Sequence, residues 1–513
     1  MLRKYPIGLQ SFRKIREGGY VYVDKTEIIH RLVETGTYYF LSRPRRFGKS
    51  LLVDTIEELF KGSRELFRGL WVEDHWDWSV AHPVIHLNIA ELPYKEIGLS
   101  EALKIELERI AGQLGVELHA GTLSGMFREL IEKASVNREL VILIDEYDKA
   151  LIDYLDDTKQ LETNRSVMKD FYSVLKGRDE QIRFLLLTGV SRFSKVSIFS
   201  DLNNLEDISV GRSFNNLVGI TQAELERDFA WELETYPEVF GVSEAELREQ
   251  VRARYNGYSW GGEDTLYNPF SLLSFMKQRE FRNFWFATGS PTFLVKGIQA
   301  RGDYDFERVT STEGTLASFE PDNLLSVPLL FQTGYLTIKS YHPVTRMYEL
   351  GYPNLEVKDS LLDNLLSAYR GVYPDNSAAE TGALLLAVQA GDVPGIVAAL
   401  NAVIAGIPYD YWNADSESVF TIIAVLTFRK IGVDVHTEVH SARGRCDVLV
   451  ETADFLYVLE LKLDGTAEEA LEQILTKGYL QPYETDIRRK IAIGLSFSSS
   501  ERRVAEYMEK VVE

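Results

Sequence analysis

Apolar positions fall into two kinds of run that alternate along the first two hundred or so residues. Tyr38–Leu41, residues 84–90 (VIHLNIA), Leu140–Ile144 and residues 183–192 (RFLLLTGVSR) are short and nearly continuous. Residues 51–60, 98–116 and 119–136 instead carry apolar side chains three and four apart. Short continuous runs predict strands buried on both faces, and three-four spacing predicts helices with one buried stripe. Strands separated by helices predict a parallel sheet. From 220 to 300 the pattern turns helical, with Thr221 and Ser243 each followed three positions on by Glu224 and Glu246, the capping-box signature. LSVPLLFQTG and the alternating runs YLTIKSY and RMYEL, joined by HPVT, predict a helix and a hairpin, the outline of a winged helix. Residues 371–380 read as a linker, and 381–405 as a helical pair broken at Gly391–Pro394. The end of the chain predicts helix, strand, turn, strand, strand, helix, strand, from Glu417 to Phe497.

The first strand runs into Arg43-Pro44-Arg45-Arg46-Phe47-Gly48, and Lys49-Ser50 opens the next helix. Strand, tight turn, Gly-Lys-Ser and helix is the order of a phosphate-binding loop. Gly48 would let the backbone approach a phosphate, Lys49 would reach the terminal phosphates, and Ser50 would hold Mg²⁺. The usual loop begins with glycine six residues before its Gly-Lys pair's lysine; here that position is Arg43. Taken alone, the stretch is equally a basic turn between strand and helix.

The run Leu140–Ile144 ends in Asp145-Glu146. Acids at the C-terminal edge of a buried parallel strand lie where ligands bind in α/β sheets. Asp145 would hold Mg²⁺ through water, and Glu146 would orient the attacking water. Asp148 is a further carboxylate expected to pair with a nearby base. Thr188, at the end of the next strand, takes the place where a hydroxyl can hold the lytic water. Arg192 could contact a γ-phosphate in the same chain or a neighbour's nucleotide. Residues 1–36 precede the first strand and could pack against a bound base.

A second constellation lies near the end of the chain. Asp447 opens one predicted strand, and Glu460 and Lys462 lie on one face of the next, in a D-x12-E-x-K arrangement. Neighbouring strands are about 4.8 Å apart, so two carboxylates and an ammonium can converge without help from a loop. Two carboxylates and the Leu461 carbonyl make an oxygen-rich Mg²⁺ site, with Lys462 placed to position a water. Gln473, on the following helix, could brace the site. An edge strand with alternating charges would also carry E-x-K.

Composition narrows the classes. The chain has 513 residues, too many for one ordinary core, with 45% hydrophobic and 26% charged residues. Net charge is −21, which argues against a protein that coats nucleic acid through a basic surface but leaves room for a local groove. Cys446 is the single cysteine, which excludes an intrachain disulfide and suits a reducing cytoplasm. No apolar run is long enough to span a bilayer, so no membrane is expected.

The stretches PIGLQSF, YVDKT, YFLSRPRRFGKSLL, LVILIDEYDKAL, LLTGVSRFSKVSIFSDLNNL, TGSPTFL, RGRCDVLVET and YVLELKL together resemble the AAA-ATPase-like proteins that carry a C-terminal PD-(D/E)XK nuclease-superfamily domain. The resemblance implies an α/β fold: a P-loop ATPase core with a parallel sheet (1–219), a helical lid and winged-helix-like region (220–372), a linker and helical pair (373–410), and a small restriction-endonuclease-like domain (411–513). It implies ATP and Mg²⁺ as cofactors. Lys49, Ser50, Asp145 and Glu146 carry over as nucleotide and metal residues, and Asp447, Glu460 and Lys462 as the nuclease triad. It also makes the arginine-rich turn typical, with Arg45 or Arg46 supplying phosphate contacts. The expectation is an ATP-regulated, metal-dependent nuclease acting on DNA or RNA, in prokaryotic defence or mobile-element biology. The alternative is a nucleotide-switched interaction protein whose last domain is a platform. A ring-forming homo-oligomeric motor is a third reading, with Arg192 or Arg212 as its trans arginine.

Overall fold

The computed structural model describes residues 3–192, 202, 204–261, 265–285, 295, 297, 298, 305–317, 326–370, 377–407, 417–441 and 444–512. Of the expected linker at 371–380, residues 371–376 lie outside them, as do the segment TGSPTFL and most of FSKVSIFSDLNN; the last four linker residues instead begin helix Ser377–Ala390. The chain divides into two compact units, Met1–Thr288 with Phe306–Lys358, and Gly289–Asp305 with Asp359–Glu513.

The first unit is built on strands β1 (Tyr38–Ser42), β2 (Val84–Asn88), β3 (Leu140–Asp145), β4 (Ile182–Gly189) and the two-residue β5 (Glu206–Asp207), in the order β2-β3-β4-β1-β5. All four pairings are parallel. The continuous apolar runs are the central strands: every residue of β1 and β3 is buried. Strand β2, at the edge, alternates towards its end, with His86 and Asn88 half-exposed. Helices α1 (Lys49–Phe60), α2 (Leu99–Gln113), α3 (Leu123–Ala134) and α4 (Thr158–Ser173) supply the apolar stripes. Helix α1 packs on β2 and β3, so the end of β1 and the start of α1 meet the ends of the other strands.

Of the region 220–300 expected to be helical, residues 220–261 and 265–278 form a cluster around Leu225, Phe229, Tyr236, Tyr255 and Phe275. Both capping boxes are made, with Thr221 and Ser243 accepting from the backbone of Glu224 and Glu246. Helix α5 (Pro269–Gln278) is capped by Asn268. Helix Ser326–Thr333 leads into the hairpin as expected. Strand β6 (Val309–Thr312) joins β7 (Thr337–His342) and β8 (Met347–Gly351), giving an antiparallel sheet in the order β6-β8-β7 whose first strand was not foreseen. Gly257 permits the approach of this region: its φ is +108°, and a Cβ there would sit 1.9 Å from the Pro353 carbonyl oxygen.

The second unit carries β9 (Asp434–Ser441), β10 (Gly444–Glu451), β11 (Phe455–Leu463), β12 (Arg489–Ser498) and β13 (Arg503–Val512), in the order β13-β12-β11-β10-β9. Strands β11 and β12 are parallel and the other pairs antiparallel. A parallel pair needs a crossover; here it contains helix α7 (Ala467–Lys477), which follows α6 (Glu417–Lys430) in the chain. Helices Ser377–Ala390 and Val393–Ala405 pack together, and the Tyr457 hydroxyl donates to the Val388 carbonyl at 2.6 Å. Strand β13 escaped the sequence reading because Val504 is its only fully buried residue and charges crowd the rest.

Candidate functional site

Arg43, at the missing-glycine position, turns into the protein. Its guanidinium is 1% exposed, donates to the carbonyls of Ser42 (2.9 Å) and Ser209 (2.7 Å), and lies 4.2 Å over the Trp260 ring. Burial pushes its pKa down to about 9. Phe47 is also fully buried, edge-on to Tyr258 and Trp260. The arginine-rich turn is thus pinned at both ends by side chains, where a glycine-rich loop would rely on backbone alone. Between the pins, Arg45 is exposed. Arg46 adopts φ 67°, donates to the Phe284 carbonyl at 3.3 Å and stacks 3.8 Å over Phe270. Its side chain is therefore committed to the fold, and of the two expected phosphate-contacting arginines Arg45 is the one turned to solvent.

Gly48 has φ 92°, which a side chain would strain, and no atom lies within 4 Å of where its Cβ would be. It caps α1, whose first turn has neither a capping side chain nor an acid. Such a helix start suits an anion. Lys49 is buried and donates to the carbonyls of Arg43 (2.9 Å) and Pro44 (3.0 Å). Burial lowers its pKa, opposed by Asp145, Glu146 and Asp148. Ser50 follows, half-buried.

Asp145 ends β3 at 1% exposure, accepts from the Thr188 hydroxyl and lies beside Asn88 in register. Thr188 therefore orients the carboxylate in this state. Glu146 has φ 51°, an uncommon conformation for glutamate that occurs preferentially at functional sites. Burial raises its pKa, and Lys49 counters most of all. Asp148 corrects one expectation: instead of a base it takes the N–H groups of Val190 (3.0 Å) and Ser191 (2.6 Å) and the Ser191 hydroxyl (2.5 Å), clamping the end of β4. Arg192 is paired with Asp207 at 2.6 Å, both nearly buried, and its own N–H donates to Gln332. Its guanidinium is thus held by Asp207 in this structure.

Beside Gly48 opens a narrow apolar cavity of about 100 Å³. Val21, Tyr22, Val23, Leu51, Gly219 and Leu273 are among its walls, and Lys25 lies in its lining, paired with Glu224 at 2.6 Å. Part of the segment 1–36 lines this cavity; Lys25 and residues 217–220 were not foreseen in it, because their meeting spans two hundred residues of chain.

In the second unit the β10–β11 register pairs Val448 with Leu459, and continuing it sets Asp447 opposite Glu460. Asp447 accepts from the Leu461 N–H at 2.9 Å. Glu460 is 1% exposed; its Oε1 accepts from Lys462 Nζ (3.3 Å) and from Gln473, while its Oε2 is buried with no hydrogen-bond partner among the described residues. Burial, then repulsion from Asp447, raises its pKa to about 7. All three predicted residues and the bracing Gln473 come together here. Cys446 is buried as expected and packs in one cluster with Leu449 and Val458, two side chains in step with Asp447 and Glu460, so it does not face away from the site.

Residues 6–199 match the family described as predicted AAA-ATPase, and residues 415–507 match the PD-(D/E)XK nuclease superfamily. An uncharacterized protein from the vnfD 5′ region of Azotobacter chroococcum mcd 1 is 40% identical over 520 residues, covering 99% of this chain and 98% of that protein. The chain belongs to this family of AAA-ATPase-like proteins with a PD-(D/E)XK domain. A solved structure, the Aeropyrum pernix ORC2 protein in ADPNP–ADP complexes, is similar at 13% identity over 72% of this chain and 97% of that one, with a TM-score of 0.26. Among the described residues no helix is long and apolar enough to cross a membrane.

Family membership raises the question of metal. Among the described residues no group of three His, Cys, Asp or Glu could hold one. Mg²⁺, however, commonly uses one or two carboxylates and completes its shell with water and phosphate. The buried, unpartnered Glu460 Oε2 and the repulsion between Glu460 and Asp447 are what a divalent cation would relieve, so the residues fit.

Proposed function

We propose that the chain binds and hydrolyses ATP at the Lys49–Asp145–Glu146 site and that nucleotide state controls a Mg²⁺-dependent phosphodiesterase, acting on DNA or RNA, at Asp447–Glu460–Lys462. The observation that carries it is the convergence of Asp447, Glu460 and Lys462 around one unpartnered buried carboxylate oxygen. In this reading the core is 1–219, the lid and hairpin region 220–372, the helical pair lies within 373–410, and the nuclease domain is 411–513.

At the nucleotide site Gly48 and the N–H groups of α1 receive the phosphates, and Lys49 exchanges the Arg43 and Pro44 carbonyls for them. Arg45 reaches the phosphates from the solvent side. Ser50 and Asp145 are the Mg²⁺ residues, Thr188 steadies Asp145, and Glu146 orients water. The base enters the slot between Val21–Val23 and Gly219. At the second site Asp447 and Glu460 would hold the divalent ion, which when bound polarises the scissile phosphate and acidifies water. Lys462 positions that water, and Gln473 fixes the Glu460 rotamer. Glu460 must shed its proton for this role. A reducing cytoplasm suits the lone buried Cys446.

The test is a divalent-metal titration of the full chain with and without Asp447→Ala, alongside ATP binding with and without Lys49→Ala. Each variant should abolish its own ligand's binding and leave the other's intact. Metal binding unchanged by Asp447→Ala, with no strand cut, overturns the nuclease half and favours the interaction platform, which the net charge of −21 would suit.

A further inference from the structure

The ATPase unit carries a second cavity, of about 590 Å³, that the nucleotide site does not use. Its lining holds four cations, Arg3, Lys4, Lys277 and Arg279, and no carboxylate. That composition stands out in a chain of net charge −21. One cation is already spent: Arg3 is paired with Glu232 at 2.7 Å. The other three are exposed. Among the described residues the Lys277 side chain has no ionic or hydrogen-bond partner, and the Arg279 side chain makes only a ring contact, 4.9 Å over Tyr236. Lys4 donates to the Gly18 carbonyl and lies 5.6 Å over Tyr20. Arg279 adopts φ 56° in the residue that ends α5, so a non-glycine side chain is held there in an uncommon conformation. Trp231 is 52% exposed in the same lining, its ring edge-on to Tyr236 at 6.2 Å.

Cations set around an exposed aromatic ring suit an unpaired polynucleotide: phosphates for the charges and a base face for the ring. A duplex hides its base faces, and a small anion has no use for Trp231. We propose that this groove grips single-stranded nucleic acid, with Lys4, Lys277 and Arg279 on the phosphodiester backbone and a base stacked on Trp231. The groove adjoins the nucleotide slot through one segment, since Tyr20 and Lys4 form a bridge and the next residue, Val21, lines the slot.

The experiment is fluorescence anisotropy of labelled oligo-dT and oligo-U on the full chain in EDTA, where no strand is cut, so the nuclease reading can fail without affecting the result. Either oligonucleotide should bind. Lys277→Ala with Arg279→Ala should weaken binding at least tenfold and reduce the slope of log affinity against log salt by about 1.4, the two single-strand charge equivalents. Trp231→Ala should weaken it by about fivefold or more with an unchanged salt slope. All three side chains are exposed, and thermal melts confirm that the variants remain folded. Wild-type affinity in these variants, equal binding of a duplex, or displacement by inorganic phosphate at the concentration that displaces an oligonucleotide would each overturn the assignment.

Discussion

Replacing Glu460 by glutamine should change how the second unit's stability depends on pH. The carboxyl is held at a pKa of about 7 against an ordinary 4.5. The unfolded chain therefore releases this proton near pH 4.5, while the folded chain keeps it until about pH 7. Across that window the folded state binds more protons, so stability falls as pH rises and levels off above about 7. The difference is worth at most ~3.4 kcal/mol, because each pKa step corresponds to about 1.36 kcal/mol. For a unit of this size that is a melting shift of a few degrees per kcal/mol. The assay is thermal melting of wild type and Glu460→Gln in EDTA from pH 5 to 8, following the transition of the second unit. Wild type should lose stability across the window and the variant should not, so the curves converge at low pH and separate at high pH. Mg²⁺ at pH 8 should raise the wild-type melting point and leave the variant's nearly unmoved. Parallel curves from pH 5 to 8 would refute the claim that burial and Asp447 load this carboxyl.

Two further substitutions probe the proposed nucleotide site. Arg43→Gly restores the glycine of the common pattern, yet it strips donors from the Ser42 and Ser209 carbonyls and uncovers Trp260; it should cost about 3 kcal/mol in chemical denaturation. Tighter ATP binding without that loss would refute the anchoring role. Glu146→Gln should keep ATP binding and slow hydrolysis by roughly 10²–10⁴-fold in a phosphate-release assay, and an unchanged rate would remove Glu146 from the mechanism.

The parts of the fold that are legible in the sequence are those set by local pattern. A short run such as Leu140–Ile144, set between helical patterns, predicts a strand buried on both faces, which places Asp145 and Glu146 at its edge. The alternation in β11 likewise fixed Glu460 and Lys462 to one face, and the strand spacing brought Asp447 to them. What escaped depends on distant partners. Arg43 reads as a solvated loop residue until Ser209, 166 positions on, and Trp260 enclose it. Arg192 reads as a finger until Asp207 takes it, and Asp148 as an ion-pair partner until the end of β4 offers it N–H groups. The basic groove draws Lys4, Trp231 and Lys277 from three separate segments, and no window of sequence contains them together.

Central to the account is that the nucleotide site governs the Asp447–Glu460–Lys462 site. The most direct measurement is cleavage of single- and double-stranded DNA and RNA with Mg²⁺ or Mn²⁺, with and without ATP, by wild type, Asp447→Asn and Lys49→Ala. The account predicts cutting by wild type, none by Asp447→Asn, and a rate that responds to ATP in wild type but not in Lys49→Ala. Cutting that survives Asp447→Asn, or an ATP response that Lys49→Ala leaves untouched, would contradict it.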